Sequence, residues 1–390
     1  MKRLFFIFLF FVFLSAVFAQ RGNNNHQKVL LVDTHNDFLS TSIEEQLSFD
    51  SNLKGRTHSD LQRMFEGGVN VQVFSIFCDD SYGKGTAFGY ANREIDSLYS
   101  IVARNSDKMQ IVTTPGELLQ AVKQKKLAAM LGVEGGHMIE DDPDKLDSLF
   151  HRGVRCMMLT WNNSTSWATS AKDETAHAFI VSPYGLTGFG RQIVKRMNEL
   201  GMLVDISHIG EKTFWDVMKI TTRPVIASHS CVYTICPVFR NLKDEQIKAI
   251  AKNKGVIQIN FYSGFLDSNY SKGIKVFIAN HKKEYDSLAY DLSDYAINQI
   301  FSMEYPSEVP PRPPLSLLID HIDYIVKLVG ADYVGLGSDF DGMESAPIGL
   351  DGVQDFPRIT EALSEKGYSK KDINKILGGN FIRVFKANMR

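Results

Sequence analysis

The sequence predicts an α/β protein in which eight parallel strands, each followed by helical chain, close into a (β/α)8 TIM barrel. Three observations predict it. Eight short apolar runs follow one another: VLLVDTH (29–35), VNVQVFSIF (69–77), LAAMLGVEG (127–135), VRCMMLTW (154–161), MLVDISH (202–208), PVIASHS (224–230), GVIQINFY (255–262) and YVGLGSDF (333–340). Most are continuous rather than alternating, which suits a parallel sheet covered on both faces. Stretches of helical periodicity lie between them. An open doubly wound sheet is the alternative built from the same units.

Before the first strand, MKRLFFIFLFFVFLSAVFAQ has a basic start, an apolar run and a small residue at Ala19. That pattern predicts a secretory signal over 1–19, hence an exported, periplasmic or secreted protein. A membrane anchor competes, but the run over 4–18 falls short of the ~20 residues a spanning helix needs. No cysteine follows the expected cut and FIRVFKANMR carries no hydrophobic tail, so neither a lipid nor a GPI anchor is expected. The remainder, 28–390, reads as one catalytic barrel domain with an insertion at about 263–314.

The first strand ends in DTHND. On extended chain His35 and Asp37 point the same way. Of the helices, ELLQAVKQK (117–125), TFWDVMK (213–219) and DEQIKAIAKN (244–253) fill gaps between strands. The helix over 188–200 shows the reasoning. Ile193, Met197 and Leu200 recur at helical spacing, while Arg191, Lys195, Arg196 and Glu199 face water. Gly201 stops it. Between the seventh and eighth strands the rhythm breaks over 263–332, where YPSEVPPRPPL (305–315) excludes helix and central strand. A lid, a dimer surface and an inert loop are equal readings of this excursion. A helix over 315–329 then leads into the last strand.

The 390 residues carry a formal net charge of −2, with 44% hydrophobic and 23% charged residues. This near-neutral balance argues against a nucleic-acid partner, which usually leaves a basic footprint, though a local patch stays compatible with it. Cys78, Cys156, Cys231 and Cys236 form no CxxC pair. In a chain this long they read as buried thiols, not a disulfide framework.

Chemistry gathers at the strand ends. They supply His35 and Asp37, then Glu134, then His208, then His229, then Asp339. In a barrel all these ends lie on one face. So many carboxylates packed together would repel and resist desolvation unless a cation joined them. Imidazole and carboxylate suit zinc. The ligand count fits two ions sharing Glu134 better than one, and such a pair holds a hydroxide and polarises a carbonyl together.

The segments DTHNDF, GGVNVQVFS, GVEGGH, GVRCMMLTWNN, GMLVDISH, PVIASHS and VGLGSDFDG resemble the membrane dipeptidase (renal dipeptidase) family of zinc peptidases, M19, from about Val32 to Phe385. The resemblance implies a barrel of the metallo-dependent hydrolase type that cleaves dipeptides with two Zn2+ per chain. It places His35 and Asp37 on the first zinc, Glu134 as the bridge, and His208 and His229 on the second. It makes Asp339 the catalytic proton carrier. It gives Arg240, in CPVFRNL, the substrate carboxylate, which a guanidinium can bind bidentately. A homodimer is a further implication. One departure stands out: well-studied members have histidine where this chain has Trp161, whose indole N–H donates but carries no charge. Trp161 therefore bears on substrate preference. Asn162 and Asn163 read as loop caps slightly ahead of pocket residues, His137 as a packing or orienting residue, and Asp341 as a carboxylate held by backbone donors at the turn. A related amidohydrolase acting on N-acyl amino acids or lactams, and a non-catalytic peptide-binding member, are the competing functions.

Overall fold

A computed structural model of the protein describes residues 29–176 and 184–389. The signal segment expected at 1–19 lies outside the described residues. Among the described residues no helix is long and apolar enough to cross a membrane.

All eight predicted strands form and pair in parallel: β1 (Val32–Asp33), β2 (Val71–Phe77), β4 (Leu127–Glu134), β5 (Val154–Met158), β6 (Leu203–Asp205), β7 (Ile226–Ala227), β8 (Val256–Ile259) and β9 (Val334–Leu336). The ring closes where the first strand's continuation meets the last. Thr34 N donates to Leu336 O at 3.3 Å, Asp339 N to His35 O at 3.2 Å, and Asp37 N to Phe340 O at 2.9 Å. The fold is a TIM barrel. One strand was not foreseen. β3 (Met109–Ile111) pairs with the first half of β4, and β5 takes the second half beyond an irregularity at Leu131/Gly132.

The helix at Gly188–Leu200 buries Ile193 and Met197 and ends on Gly201 at φ 78°. That left-handed turn is open to glycine at no steric cost. Helices at Pro115–Lys123, Glu211–Ile220 and Asp244–Lys252 cover the other gaps. Alternate strand residues divide the core into two clusters. One set, including Phe74, Leu131, Val204 and Ile257, packs under the helices. The other, including Val32, Val71, Ala128, Leu203 and Val256, packs with Phe381 and Phe385 of the helix Asn380–Asn388. That helix plugs the barrel at the end opposite the site.

The excursion is helical, not an inert loop. Helices at Ser263–Leu266, Ser268–Asn280, Lys282–Leu288 and Asp294–Glu304 enclose a small core of Tyr270, Ile274, Phe277, Ile297 and Phe301. Ser293 N donates to Glu45 Oε1 at 3.0 Å and Asn298 Nδ2 to Glu344 O at 3.0 Å, fastening it to the barrel. The helix after the prolines spans Leu315–Val329. All four cysteines are buried and free.

Gly337 limits how tightly the barrel closes. A Cβ there would lie 1.8 Å from Ser228 O and 2.7 Å from Thr34 Oγ1. Gly337→Ala should therefore cost about 1–3 kcal/mol of unfolding free energy in urea titrations. Gly188→Ala, at a position with open space around it, should change stability by no more than ~1 kcal/mol in the favourable direction.

Candidate metal centre and substrate cavity

The inward alternation of each strand ends on the polar residues that the sequence singled out. Glu134 closes β4, and its two oxygens face different partners. Oε2 lies 3.1 Å from His35 Nε2, while Oε1 lies 2.8 Å from His208 Nε2 and 3.6 Å from His229 Nε2. His35 Nε2 is also 3.3 Å from Asp37 Oδ2 and 3.8 Å from Asp339 Oδ1. The His35 and His229 rings stack with centroids 3.8 Å apart. His208 Nε2 and His229 Nε2 are 3.0 Å apart. All six groups thus meet at one place, drawn from strands far apart in the chain. His208, Asp339 and Asp341 are held at φ 67°, 66° and 70°. Such left-handed backbone is costly for these residues and concentrates at functional sites.

The outer ring nitrogens are engaged elsewhere. His208 Nδ1 is 3.2 Å from Asn162 Oδ1, and His229 Nδ1 is 2.9 Å from Ser228 Oγ. Those contacts orient the Nε2 atoms inward, as the partners of metal-binding histidines commonly do. Ser75 Oγ reaches Glu134 Oε2 at 3.2 Å, and Asn260 Nδ2 donates to Asp339 Oδ2 at 2.8 Å. Sequence reasoning missed Ser75, Ser228 and Asn260. Their only signal is inward parity, Ser75 with Val71 and Val73 in β2, and Ser228 and Asn260, one residue past β7 and β8, with Ile226 and Val256.

The electrostatics test whether these residues fit a cation. Burial opposes charge on His35, but Asp37 and Glu134 prevail and hold its pKa well above the ordinary value. Burial and then the charges of His35 and Arg240 hold His229 well below. Burial and the Arg240 charge bring His208 down to about 4. For Glu134, burial is outweighed by His35 and His208, and its carboxyl titrates well below the usual range. Burial pushes Asp339 up to about 7, with Asp37 and Glu134 adding to it. His208 and His229, engaged from behind at Nδ1, thus turn Nε2 to the place that Asp37, Glu134 and Asp339 also reach, and burial and mutual repulsion raise Asp37 and Asp339 there. Asp37 Oδ1 is buried without a hydrogen-bond partner. Two overlapping sets, His35–Glu134–His229 and His35–Asp37–Asp339, have ligand atoms close enough to hold an ion. The donor set fits a divalent cation, whose charge would compensate the crowded carboxylates.

The cluster opens into a cavity of about 830 Å³. Asp37, Glu134, His208, His229, Asp339 and Trp161 reach its wall, and the excursion supplies Lys275, Asp294 and Tyr295. The excursion thus roofs the site. Trp161 packs edge-on against Phe77 at 5.0 Å and stands 6.5 Å from His208. Asn162 is both a cavity residue and the partner of His208, so the loop-cap reading is corrected. Asn163 does not reach this wall. Arg240 is buried in an adjoining cavity, where its Nη2 donates to His229 O at 3.1 Å. His137 bonds Cys78 O at 3.0 Å and stays out of the cluster. Asp341 accepts from His58 N at 2.5 Å and from Ser59 Oγ, donors of a distant loop instead of its own turn.

The chain from residue 19 to 389 matches the profile of the membrane dipeptidase family, Peptidase family M19. The chain belongs to that family. Among this family's relatives, Dipeptidase 3 of Macaca fascicularis is 29% identical over 360 residues, covering 91% of this chain and 64% of that protein. This chain thus spans a little under two thirds of that relative's length. An uncharacterised dipeptidase of Schizosaccharomyces pombe is 31% identical over 378 residues, covering 93% of this chain and 80% of the relative. The solved structure of the probable dipeptidase PvdM from Pseudomonas aeruginosa superposes with a TM-score of 0.76 at 23% identity, covering 96% of this chain and 99% of that one. A metallo peptidase from Rhodobacter sphaeroides, liganded with a phosphinate mimic of the dipeptide L-Ala-D-Ala, gives 0.75 at 23% identity, covering 92% and 99%. These two structures share the fold.

Glu344, on the cavity wall, carries a pH signature of its own. Burial pushes it from an ordinary 4.5 up to about 7, and its Oε1 is buried without a partner. The folded protein holds a proton that the unfolded chain releases. Stability from this group is complete below about pH 4.5 and lost as pH rises through about 7. Glu344→Gln should flatten the stability–pH curve between pH 5 and 8. In urea unfolding the variant should gain up to ~2–3 kcal/mol at pH 8 and little at pH 5.

Proposed function

We propose that this protein is a zinc metallodipeptidase. Its two zinc ions would be held by His35 and Asp37 on one side and by His208 and His229 on the other, with Glu134 between them. The observation that carries this reading is the split of the Glu134 carboxylate, one oxygen toward His35 and the other toward His208 and His229. When bound, the zinc pair supplies ionised water near neutral pH and polarises the scissile carbonyl.

The chain's own groups do the rest. Asn260 occupies Asp339 Oδ2, which leaves Oδ1 on the cluster side, 3.8 Å from His35 Nε2. Asp339 takes the proton of the attacking water there and returns it to the leaving amine. Glu134 keeps its carboxylate charged and orients the two halves of the cluster. Arg240 is buried, and none of the ion pairs among the described residues includes it. It is a cation awaiting an anion, and the substrate's terminal carboxylate is that anion. Such a clamp favours dipeptides over longer chains. Trp161 and Phe77 form an aromatic wall beside His208 and bear on substrate choice, with one indole donor where the family's studied members have imidazole.

The phosphinate dipeptide mimic bound by the Rhodobacter sphaeroides relative supports this substrate class. The aromatic wall favours one second reading, an N-acyl amino acid or lactam carrying the same carboxylate and no ammonium. The basic, apolar start of the sequence supports export, and the family resemblance supports a homodimer. The domain reading of 28–390 as one catalytic unit, with 263–314 inserted as a roof, goes with this assignment.

Metal analysis of the purified protein should find two zinc ions per chain, and chelation should abolish dipeptide turnover. Asp339→Asn should keep its zinc and lose ~10²–10⁴-fold in kcat. Arg240→Ala should raise KM chiefly, by ~30-fold or more. A zinc-loaded protein that cleaves N-acyl amino acids and no dipeptide would replace the first reading with the second.

A further inference from the structure

The turn that carries Asp339 is gripped by a loop far away in the chain. Asp339 and Asp341 both take left-handed backbone, at φ 66° and 70°. Residues other than glycine keep that conformation only where their surroundings impose it. The imposing contacts converge on Asp341. Its N–H donates to His58 Nδ1 at 3.2 Å, and its Oδ1 accepts from His58 N at 2.5 Å. Its Oδ2 accepts from Ser59 Oγ. The loop is itself well held, because His58 O accepts from Arg63 Nη1 and from Val353 N, both at 3.0 Å. Burial lowers the His58 pKa, which keeps the ring neutral and Nδ1 free to accept. The turn has little slack. A Cβ on Gly342 would lie 2.1 Å from Asp37 Oδ2 and 3.1 Å from Asp339 Oδ1.

His58 also touches the roof. Its ring stacks on Phe340 of the turn, with centroids 5.0 Å apart, and packs on Tyr295 at 3.9 Å. Tyr295 belongs to the roof helix Asp294–Glu304 and reaches the wall of the large cavity. That helix is the one fastened to the barrel through Ser293 and Asn298. One imidazole therefore joins the roof to the turn of the proton carrier. His58 itself does not reach the cavity wall, so whatever it does for the reaction passes through Asp341.

We propose that His58 is a positioning residue for Asp339, and that through Tyr295 it makes the placement of Asp339 depend on the seating of the roof. This role rests on the dipeptidase reading for the reaction that Asp339 serves. A roof out of place withdraws the Tyr295 ring, loosens the grip on Asp341 and lets the left-handed turn relax. Asp339 Oδ1 then leaves its place beside His35. Turnover is thereby confined to the roofed state, in which bulk water is kept from the site.

The zinc-loaded full chain tests this with a dipeptide and the matching depsipeptide, whose ester alkoxide leaves with far less help from a proton donor than an amine does. His58→Phe keeps an aromatic ring and loses Nδ1. It should keep its zinc and lower kcat for the dipeptide by ~10²-fold with KM little changed. Its loss on the ester should be ~10-fold smaller. His58→Asn, whose side-chain oxygen can replace Nδ1 as acceptor, should return to within ~10-fold of the unaltered protein. Tyr295→Ala should slow dipeptide cleavage by ~10-fold alone and add little to His58→Phe. Zinc-loaded crystal structures should show Asp339 Oδ1 displaced in His58→Phe. Equal losses on amide and ester, full additivity with Tyr295→Ala, or an unmoved turn overturns the proposal. Should His58→Phe not fold, Tyr295→Ala carries the same amide–ester and crystallographic comparison. If the unaltered protein cleaves neither substrate, the dipeptidase reading falls, and the place of Asp339 in the two crystal structures still decides for or against His58.

Discussion

The site depends on the cost of crowding carboxylates in a dry place. Asp37, Glu134 and Asp339 meet at the barrel mouth, and water that would screen them is largely excluded. Left alone they would repel. The histidines make the arrangement tenable because each is turned with Nε2 inward. That turning is enforced from behind, by Asn162 on one ring and Ser228 on another. Remove the need to hold positive charge there and little else explains why the chain bends through left-handed backbone at His208 and Asp339.

Much of this was legible in the sequence, for a definite reason. A parallel barrel buries its strands on both faces, so each reads as an unbroken apolar run, and each run ends where chemistry is allowed. The positions of His35, Glu134, His208, His229 and Asp339 follow from that rule together with the strand count. The family resemblance supplied Arg240, which no periodicity would have found. What stayed hidden has physical reasons too. β3 is a three-residue strand on a half-filled edge, too short to leave a pattern. Ser75, Ser228 and Asn260 matter only through what they touch, and small polar residues in or just past a strand look like ordinary interior filler. Asn162 looked like a loop cap because an asparagine pair after a strand has that form whatever it touches.

The excursion was the hardest part to read. Its prolines announced a break, but the helices before them are weakly patterned and share a small core of their own. Their position over the cavity depends on a few anchoring bonds, such as Ser293 to Glu45. The architecture is therefore divided. The cluster of candidate ligands belongs to the barrel and is drawn together by its closure, whereas the roof is a separate, smaller structure with a core of its own.

The plug formed by Phe381 and Phe385 has a consequence for biogenesis. Its partners include Val32, near the opposite end of the described chain, and the ring is sealed by bonds between the segments after β1 and after β9. A nascent chain emerging in order from a ribosome or a translocation pore has no way to complete this seal until its final helix is free. Until then the segments carrying His35 and Asp339 are not locked side by side, so the meeting of imidazoles and carboxylates is among the last things the folding chain completes.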